Sequence, residues 1–244
     1  MRKLIFLNYA GTAVFIGLSG ILALGLLVWD FWFPGAFKQW YLFPGGMEQN
    51  LVLLLVFGLQ HSLMARQGVK TVMGKFLTPA LVRPTYVMWS GFTLFLLVAL
   101  WSPMSPPIYD LNGSWGGDVL LGASMIGILI VGITGLQMGG LELIGVSALL
   151  AIWRDEPEKE VPFRTPGLYK WVRHPLYLGM LILFWVSPAM THDHLFFAEV
   201  MSAYILLGAR FEEKDLVRRY GDAYLAYQEQ VPMLIPFTKR RRQG

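Results

Sequence analysis

The 244-residue chain has no cysteine, and only 15% of it is charged. The first absence excludes disulfides, thiolate-ligated metals and a cysteine nucleophile, and no metal site is expected. The second excludes an ordinary soluble domain, which carries about a quarter charged residues. What the chain has is apolar side chains, at 55% of its residues, and the few charges fall in blocks between long uncharged runs. Such a chain would expose too much apolar surface to water, whereas in a bilayer the same runs are well solvated.

A hydrocarbon slab about 30 Å thick is crossed by roughly 20 helical residues. Leu4 to Trp29, Pro84 to Tyr109 and Val119 to Leu141 are uncharged and long enough, and Gln49 to Ala65 is a shorter fourth run. The first is too long for a signal-peptide core and has no small-residue cleavage site behind it, so it is read as a helix. After Pro175 the chain is apolar to Thr191, turns through His192, Asp193 and His194, and is apolar again to Ala209 with Glu199 as the one interruption. This predicts a hairpin of two short membrane helices, with His192 and His194 as surface residues of its outer turn. Six crossings put both termini on one side. Of the 20 Lys and Arg residues, all except Lys38 then fall on that side, which the bias of basic residues identifies as cytoplasmic. The net charge of +4 is therefore explained by anionic headgroups and not by nucleic acid.

The loops differ in character. Phe31 to Gly35 and Ser102 to Pro107 are rich in aromatic and turn residues, as at a membrane interface. On the cytoplasmic side, Gly139 and Gly140 end a crossing, and Leu141 to Trp153 is apolar enough to lie along the interface as a separate helix. The charged stretch Arg154 to Glu160 follows. No repeat or low-complexity tract marks a second domain. The expected fold is an all-α integral membrane protein: a six-helix polytopic bundle with a cytoplasmic interfacial helix and a C-terminal amphipathic helix.

From Thr165 the sequence carries chemistry. It runs Thr165-Pro166-Gly167-Leu168-Tyr169-Lys170-Trp171-Val172-Arg173-His174-Pro175-Leu176-Tyr177-Leu178-Gly179, and after the apolar hairpin comes Arg210-Phe211-Glu212-Glu213. Each residue alone fits a plain role: Pro175 opens a helix, and Arg173, His174, Glu212 and Glu213 are flanking charges in water. Together they bring a helix start, two cations, two carboxylates and several tyrosines to one membrane depth, because a hairpin begins and ends on the same side. A zwitterionic cofactor needs amides for its carboxylate and carboxylates for its ammonium or ribose hydroxyls. Beyond Glu212, Leu216, Tyr220, Tyr224 and Tyr227 share one face of a helix running to Glu229, which serves either as a wall of that site or as a face packed on the bundle. Val231-Pro232 ends that helix, and Lys239 to Arg242 form a lipid-contacting tail.

The order Pro166-Gly167-Leu168-Tyr169, then Arg173-His174-Pro175 with Tyr177 and Gly179, an apolar hairpin, Glu212-Glu213, Gly221 with Tyr224 and Tyr227, and Val231-Pro232 resembles the isoprenylcysteine carboxyl methyltransferase superfamily. Phe57-Gly58-Leu59-Gln60-His61-Ser62-Leu63-Met64-Ala65-Arg66, with Pro162-Phe163-Arg164 ahead of Thr165, is similar to its bacterial methanethiol S-methyltransferase group, which is related to NnrU-type membrane proteins. The stretch Leu141 to Trp153 departs from that group in lacking an additional basic residue. The resemblance implies one methyltransferase domain over residues 1–244, with a cofactor half near residues 165–236. It implies S-adenosylmethionine as methyl donor, methanethiol as acceptor and dimethyl sulfide as product, in the bacterial inner membrane. By resemblance Tyr169, Arg173, His174, Tyr177, Glu212 and Glu213 serve the cofactor and Gln60 the acceptor, while His61, Arg66 and Arg210 are candidates for the catalytic groups. The residues alone leave His61 open between a cavity-facing group and a hydrogen-bonded core histidine. The implied partners are a small volatile thiol and membrane lipids, with no nucleic acid and no obligate protein partner. Other classes stay open: an isoprenylcysteine-type or other small-thiol or lipid methyltransferase, a sterol-type reductase using NADPH, and a non-catalytic NnrU-like protein.

Overall fold

The computed structural model describes residues 1–36, 45–104, 106–140, 144–156 and 163–238. Lys38, Ser105, Leu141, Lys159, Pro162 and the tail Lys239 to Arg242 lie outside the described residues. Four helices are long and apolar enough to cross a membrane: α1 (Arg2–Trp32), α4 (Pro79–Ala99), α5 (Trp115–Gln137) and α8 (His192–Tyr220). A fifth candidate is the pair α2 (Gly46–Ala65) and α3 (Gln67–Phe76), which bend by 77° at Arg66. The shorter helices are α6 (Val146–Arg154), α7 (Pro175–Trp185) and α9 (Asp222–Gln230), and β1 (Pro107–Asp110) pairs with β2 (Ala189–Thr191). The chain is thus a helical membrane protein.

The described residues form two compact units, each assembled from separate stretches of chain. In the first, α1 lies along α4, and a Cβ at Gly91 would run into the backbone of Ile16 and Gly17. Lipid tails give apolar side chains no reason to leave them, so association in a bilayer relies on close backbone contact, and small residues permit it. Helix α6 buries Ile152 against Ala10 and Leu81. At the other end of this unit Asn50 closes on Ser102, its Nδ2 donating to the Ser102 carbonyl at 2.7 Å and its Oδ1 accepting from the Ser102 N–H at 2.8 Å. In the second unit α5 packs on α7, and α7 runs antiparallel to α8, with Tyr177 bonded to Glu212 and Trp185 to Ser202.

Several expectations change. The apolar run from Pro84 to Tyr109 is helical only to Ala99, because Pro103, Pro106 and Pro107 lack the N–H that a continuing helix needs, and its far end becomes a strand. The hairpin helices are unequal. Helix α7 has 11 residues, about 16 Å against a slab of about 30 Å, whereas α8 has 29 and passes through Glu212 and Glu213 unbroken. The predicted helix from Glu212 to Glu229 is two helices, since Gly221 takes φ +56°, a left-handed conformation that favours glycine. His192 is exposed as expected, but His194 is 1% exposed, its Nε2 at 2.8 Å from the Phe184 carbonyl. The turn's charge is also withdrawn from water, for Asp193 is buried and accepts from Trp101 Nε1 at 3.0 Å. Gly139 does end the crossing, with α5 stopping at Gln137 and φ +77° at the glycine.

Candidate active site

Local sequence sets the site's first wall. Pro166 enters extended and a 3-10 turn follows over Gly167–Lys170, tied to Gln137 at the end of α5 by the Leu168 N–H, which donates to Gln137 Oε1 at 3.3 Å. Val172 is buried, which fixes the backbone as it reaches Arg173 and His174. Their N–H groups donate to the carbonyls of Pro232 at 2.9 Å and Met233 at 3.1 Å. His174 is the N-cap of α7 and Pro175 its first residue, where a missing N–H loses nothing.

Around this corner the hairpin closes a charged cluster. Arg173 Nε donates to Glu213 Oε1 at 2.6 Å, and its Nη1 donates to the carbonyls of Gln228 at 3.1 Å and of Val231. The other Glu213 oxygen accepts from Gln228 Nε2 at 3.0 Å. His174 stands between the carboxylates, Nε2 at 3.3 Å from Glu213 and Nδ1 at 3.6 Å from Glu212, with its ring stacked on Tyr177 at a centroid separation of 5.3 Å. Tyr177 donates to Glu212 Oε2 at 2.9 Å. The side chains of Arg173 and Glu213 are 8% and 14% exposed, so these are not solvated flank charges. Glu212 is different, at 42% exposed.

The tyrosines complete the rim. Tyr227 donates to the Tyr169 carbonyl at 2.6 Å, and Phe163 lies against Tyr220, Tyr224 and Tyr227 at 5.0, 5.8 and 5.7 Å between ring centroids. Burial, with Glu212 adding to it, pushes the Tyr169 hydroxyl up to about 12. Tyr224 and Tyr227 are raised too, chiefly by burial, then by Glu213 for Tyr224 and by Tyr224 for Tyr227. All three stay neutral donors at physiological pH.

The structure therefore gathers Tyr169, Arg173, His174, Tyr177, Glu212 and Glu213 into one place in the second unit. Arg210, also in that unit, is exposed on α8 and makes none of the bonds above. Gln60, His61 and Arg66 belong to the first unit. There His61 Nδ1 is 3.2 Å from Ser90 Oγ and Nε2 is 3.1 Å from the Tyr86 hydroxyl, with Phe57 stacked at 5.4 Å. Gln60 Oε1 accepts from Thr93 at 2.9 Å, and Arg66 is half-buried at the bend between α2 and α3. Gln228 and Gln137 were not read from the sequence. Gln228 shares a helical face with Tyr224, four residues before it, and that spacing was the available signal.

The donor set discriminates between roles. Arg173 is spent on Glu213 and two carbonyls, so it holds the cluster in shape. The Glu212 side chain stays 42% exposed, oriented by Tyr177 and His174, and a carboxylate so placed fits an ammonium or a vicinal diol. The start of α7, with His174 as N-cap and no side-chain cap, is a position suited to an acid group, since the first N–H groups of a helix are not used by its own carbonyls. These residues fit a zwitterionic ligand carrying ammonium, carboxylate and hydroxyls.

Fold and site together define a helical membrane protein with a polar ligand site at the foot of an apolar helix pair. A family model described as "Protein of unknown function (DUF1295)" matches residues 78–231. Over 193 residues the chain is 42% identical to a protein named methanethiol S-methyltransferase from a Pseudomonas species, covering 79% of this chain and 74% of that one. A protein of the same name from Mycobacterium tuberculosis is 40% identical over 191 residues, 78% of each chain, and methanethiol S-methyltransferase 2 of Bradyrhizobium diazoefficiens is 41% identical over 196 residues, 79% of this chain and 74% of that one. No solved structure matches. The chain belongs to the methanethiol S-methyltransferase family and is a membrane enzyme of the methyltransferase class. A methyltransferase requires a methyl donor, and the zwitterion-fitting cluster lies inside the matched segment.

Proposed function

We propose that the protein transfers a methyl group from S-adenosylmethionine to methanethiol, giving dimethyl sulfide, from the cytoplasmic side of the bacterial inner membrane. The half-open Glu212 carboxylate, oriented by Tyr177 and His174 and backed by the Arg173–Glu213 pair, carries this reading. When bound, the donor supplies a methyl group already activated by its positive sulfur. Glu212 would hold the donor's ammonium or ribose hydroxyls, and the aromatic rim of Tyr169, Tyr224 and Tyr227 would exclude water. The acceptor sulfur must shed its proton, since the thiolate is the nucleophile. The thiolate sulfur would then take the methyl group, its new bond to carbon forming as the donor's sulfur–carbon bond breaks. His61, oriented by Ser90 and Tyr86, is the proposed base, with Gln60 on the acceptor side and Arg66 and Arg210 as the cations considered for the thiolate.

Purified protein in detergent, given methanethiol and S-adenosylmethionine, is expected to release dimethyl sulfide, read by gas chromatography and mass spectrometry. The rate should rise from pH 7 to 9 as thiolate accumulates, a range in which the rim tyrosines stay neutral. His61→Ala should lower turnover more than donor affinity. A protein that binds the donor, gives no dimethyl sulfide, and methylates a prenylated cysteine peptide or a phospholipid amine would refute the assignment.

The proposed topology has six crossings with both termini cytoplasmic, the bias of basic residues being its support. It uses α2, at 20 residues, as a crossing and asks the bilayer to thin locally around α7. The cysteine-free chain offers a direct test. With single cysteines at Asn112 and Lys75, an impermeant maleimide applied to intact cells should label only the Asn112 site. Labelling of Lys75→Cys under the same conditions contradicts the orientation.

A further inference from the structure

The first unit contains a cleft of about 800 Å³ that plays no part in the chemistry above. Its walls are apolar, with Phe6 and Ile152 among them, and its mouth carries Arg2, Lys3, Asp155 and Glu156. Lys3 is neutralised by Asp155, the two being joined by a short ion pair. Among the described residues lining the cleft, the two charges outside this pair are of opposite sign: Arg2, whose guanidinium sits 5.3 Å from the Phe6 ring centroid, and Glu156.

We infer that this cleft is a binding site for a zwitterionic phospholipid of the phosphatidylethanolamine type. The volume lies within the range of about 300–1,000 Å³ usual for ligand sites. An apolar trough lined also by one such cation and one such anion matches the chemistry of an acyl-glycerol body, a phosphate and a primary ammonium. Arg2 meets the phosphate, as basic groups at the ends of membrane helices commonly do. Glu156 selects the ammonium, because a carboxylate accepts hydrogen bonds from a primary ammonium and can accept none from a quaternary one. A purely anionic headgroup would leave Glu156 facing negative charge. The site does not depend on the methyltransferase reading, since no residue of the donor cluster belongs to it.

Native mass spectrometry of the delipidated full chain tests this, with phosphatidylethanolamine, phosphatidylcholine and phosphatidylglycerol of identical acyl chains supplied in equal amounts. The first lipid should dominate the adducts. Glu156→Gln should reduce its excess about tenfold, as loss of a charge-assisted hydrogen bond does, and Glu156→Asp should largely restore it. Arg2→Gln should lower retention of all three. Both positions are exposed, and an unchanged melting temperature identifies the variants as folded. Equal retention of the three lipids by the unaltered chain, or a preference unmoved by Glu156→Gln, overturns the proposal. So does displacement of the lipid by glycerophosphoethanolamine at the same concentration, which would make the headgroup alone the ligand.

Discussion

Arg173→Ala is expected to destabilise the protein by about 3–5 kcal/mol, the range for deleting one partner of a buried ion pair, and to abolish measurable donor binding. The guanidinium satisfies three groups at once: the Glu213 carboxylate and the carbonyls of Gln228 and Val231. Without it, a carboxylate that is 14% exposed is left with His174 and Gln228 but no permanent cation. The two carbonyls, at the end of α9, are stranded as well. Arg173→Lys should recover only part of the loss, because one ammonium cannot reproduce the fork of donors that spans all three acceptors. Near-ultraviolet circular dichroism on heating reads the stability, and calorimetry with S-adenosylmethionine reads the affinity. A variant that melts like the unaltered protein would show that Arg173 is a solvated flank charge after all.

The adjacent glutamates should separate in kind. Glu212→Gln lowers S-adenosylmethionine affinity about tenfold with little change in melting, since it weakens a charge-assisted bond to the ligand while Tyr177 can still donate to the amide oxygen. Glu213→Gln lowers the melting temperature first, because an amide cannot match both Arg173 and Gln228, and any loss of affinity follows from a distorted cluster. Residual activity at saturating donor distinguishes the two: it should be near normal for Glu212→Gln. Equal melting losses in both variants would contradict the division of roles.

That division was not legible in the sequence. Glu212 and Glu213 are consecutive and chemically alike, and the linear pattern assigns them one role. Helical geometry turns neighbours about 100° apart, so one faces Arg173 in the interior and the other stays half in solvent. His194 gives the same lesson. A short His-Asp-His turn reads as surface, yet Asp193 and His194 are buried, Asp193 bonded to Trp101 and His194 to the Phe184 carbonyl, and only His192 stays exposed. Tyr220, Tyr224 and Tyr227 were assigned one face by their spacing, and they do gather on Phe163, though the helix proposed to carry them breaks at Gly221.

By itself the sequence determined that this is a helical membrane protein, that its charges fall in blocks between uncharged runs, and that the motifs from Pro166 to Tyr177 and at Glu212-Glu213 come together in one cluster. Those conclusions rest on composition, period and order, which a linear chain displays fully, since transfer into a bilayer depends mainly on the run of side chains. Only the tertiary structure decided how long each helix is, which charges are spent on one another and which remain for a ligand. Those depend on partners far apart in the chain, Arg173 with Glu213 and Gln228, Lys3 with Asp155, Asn50 with Ser102. A charge's role is set by whether another group satisfies it, and no local pattern of residues states which distant group that will be.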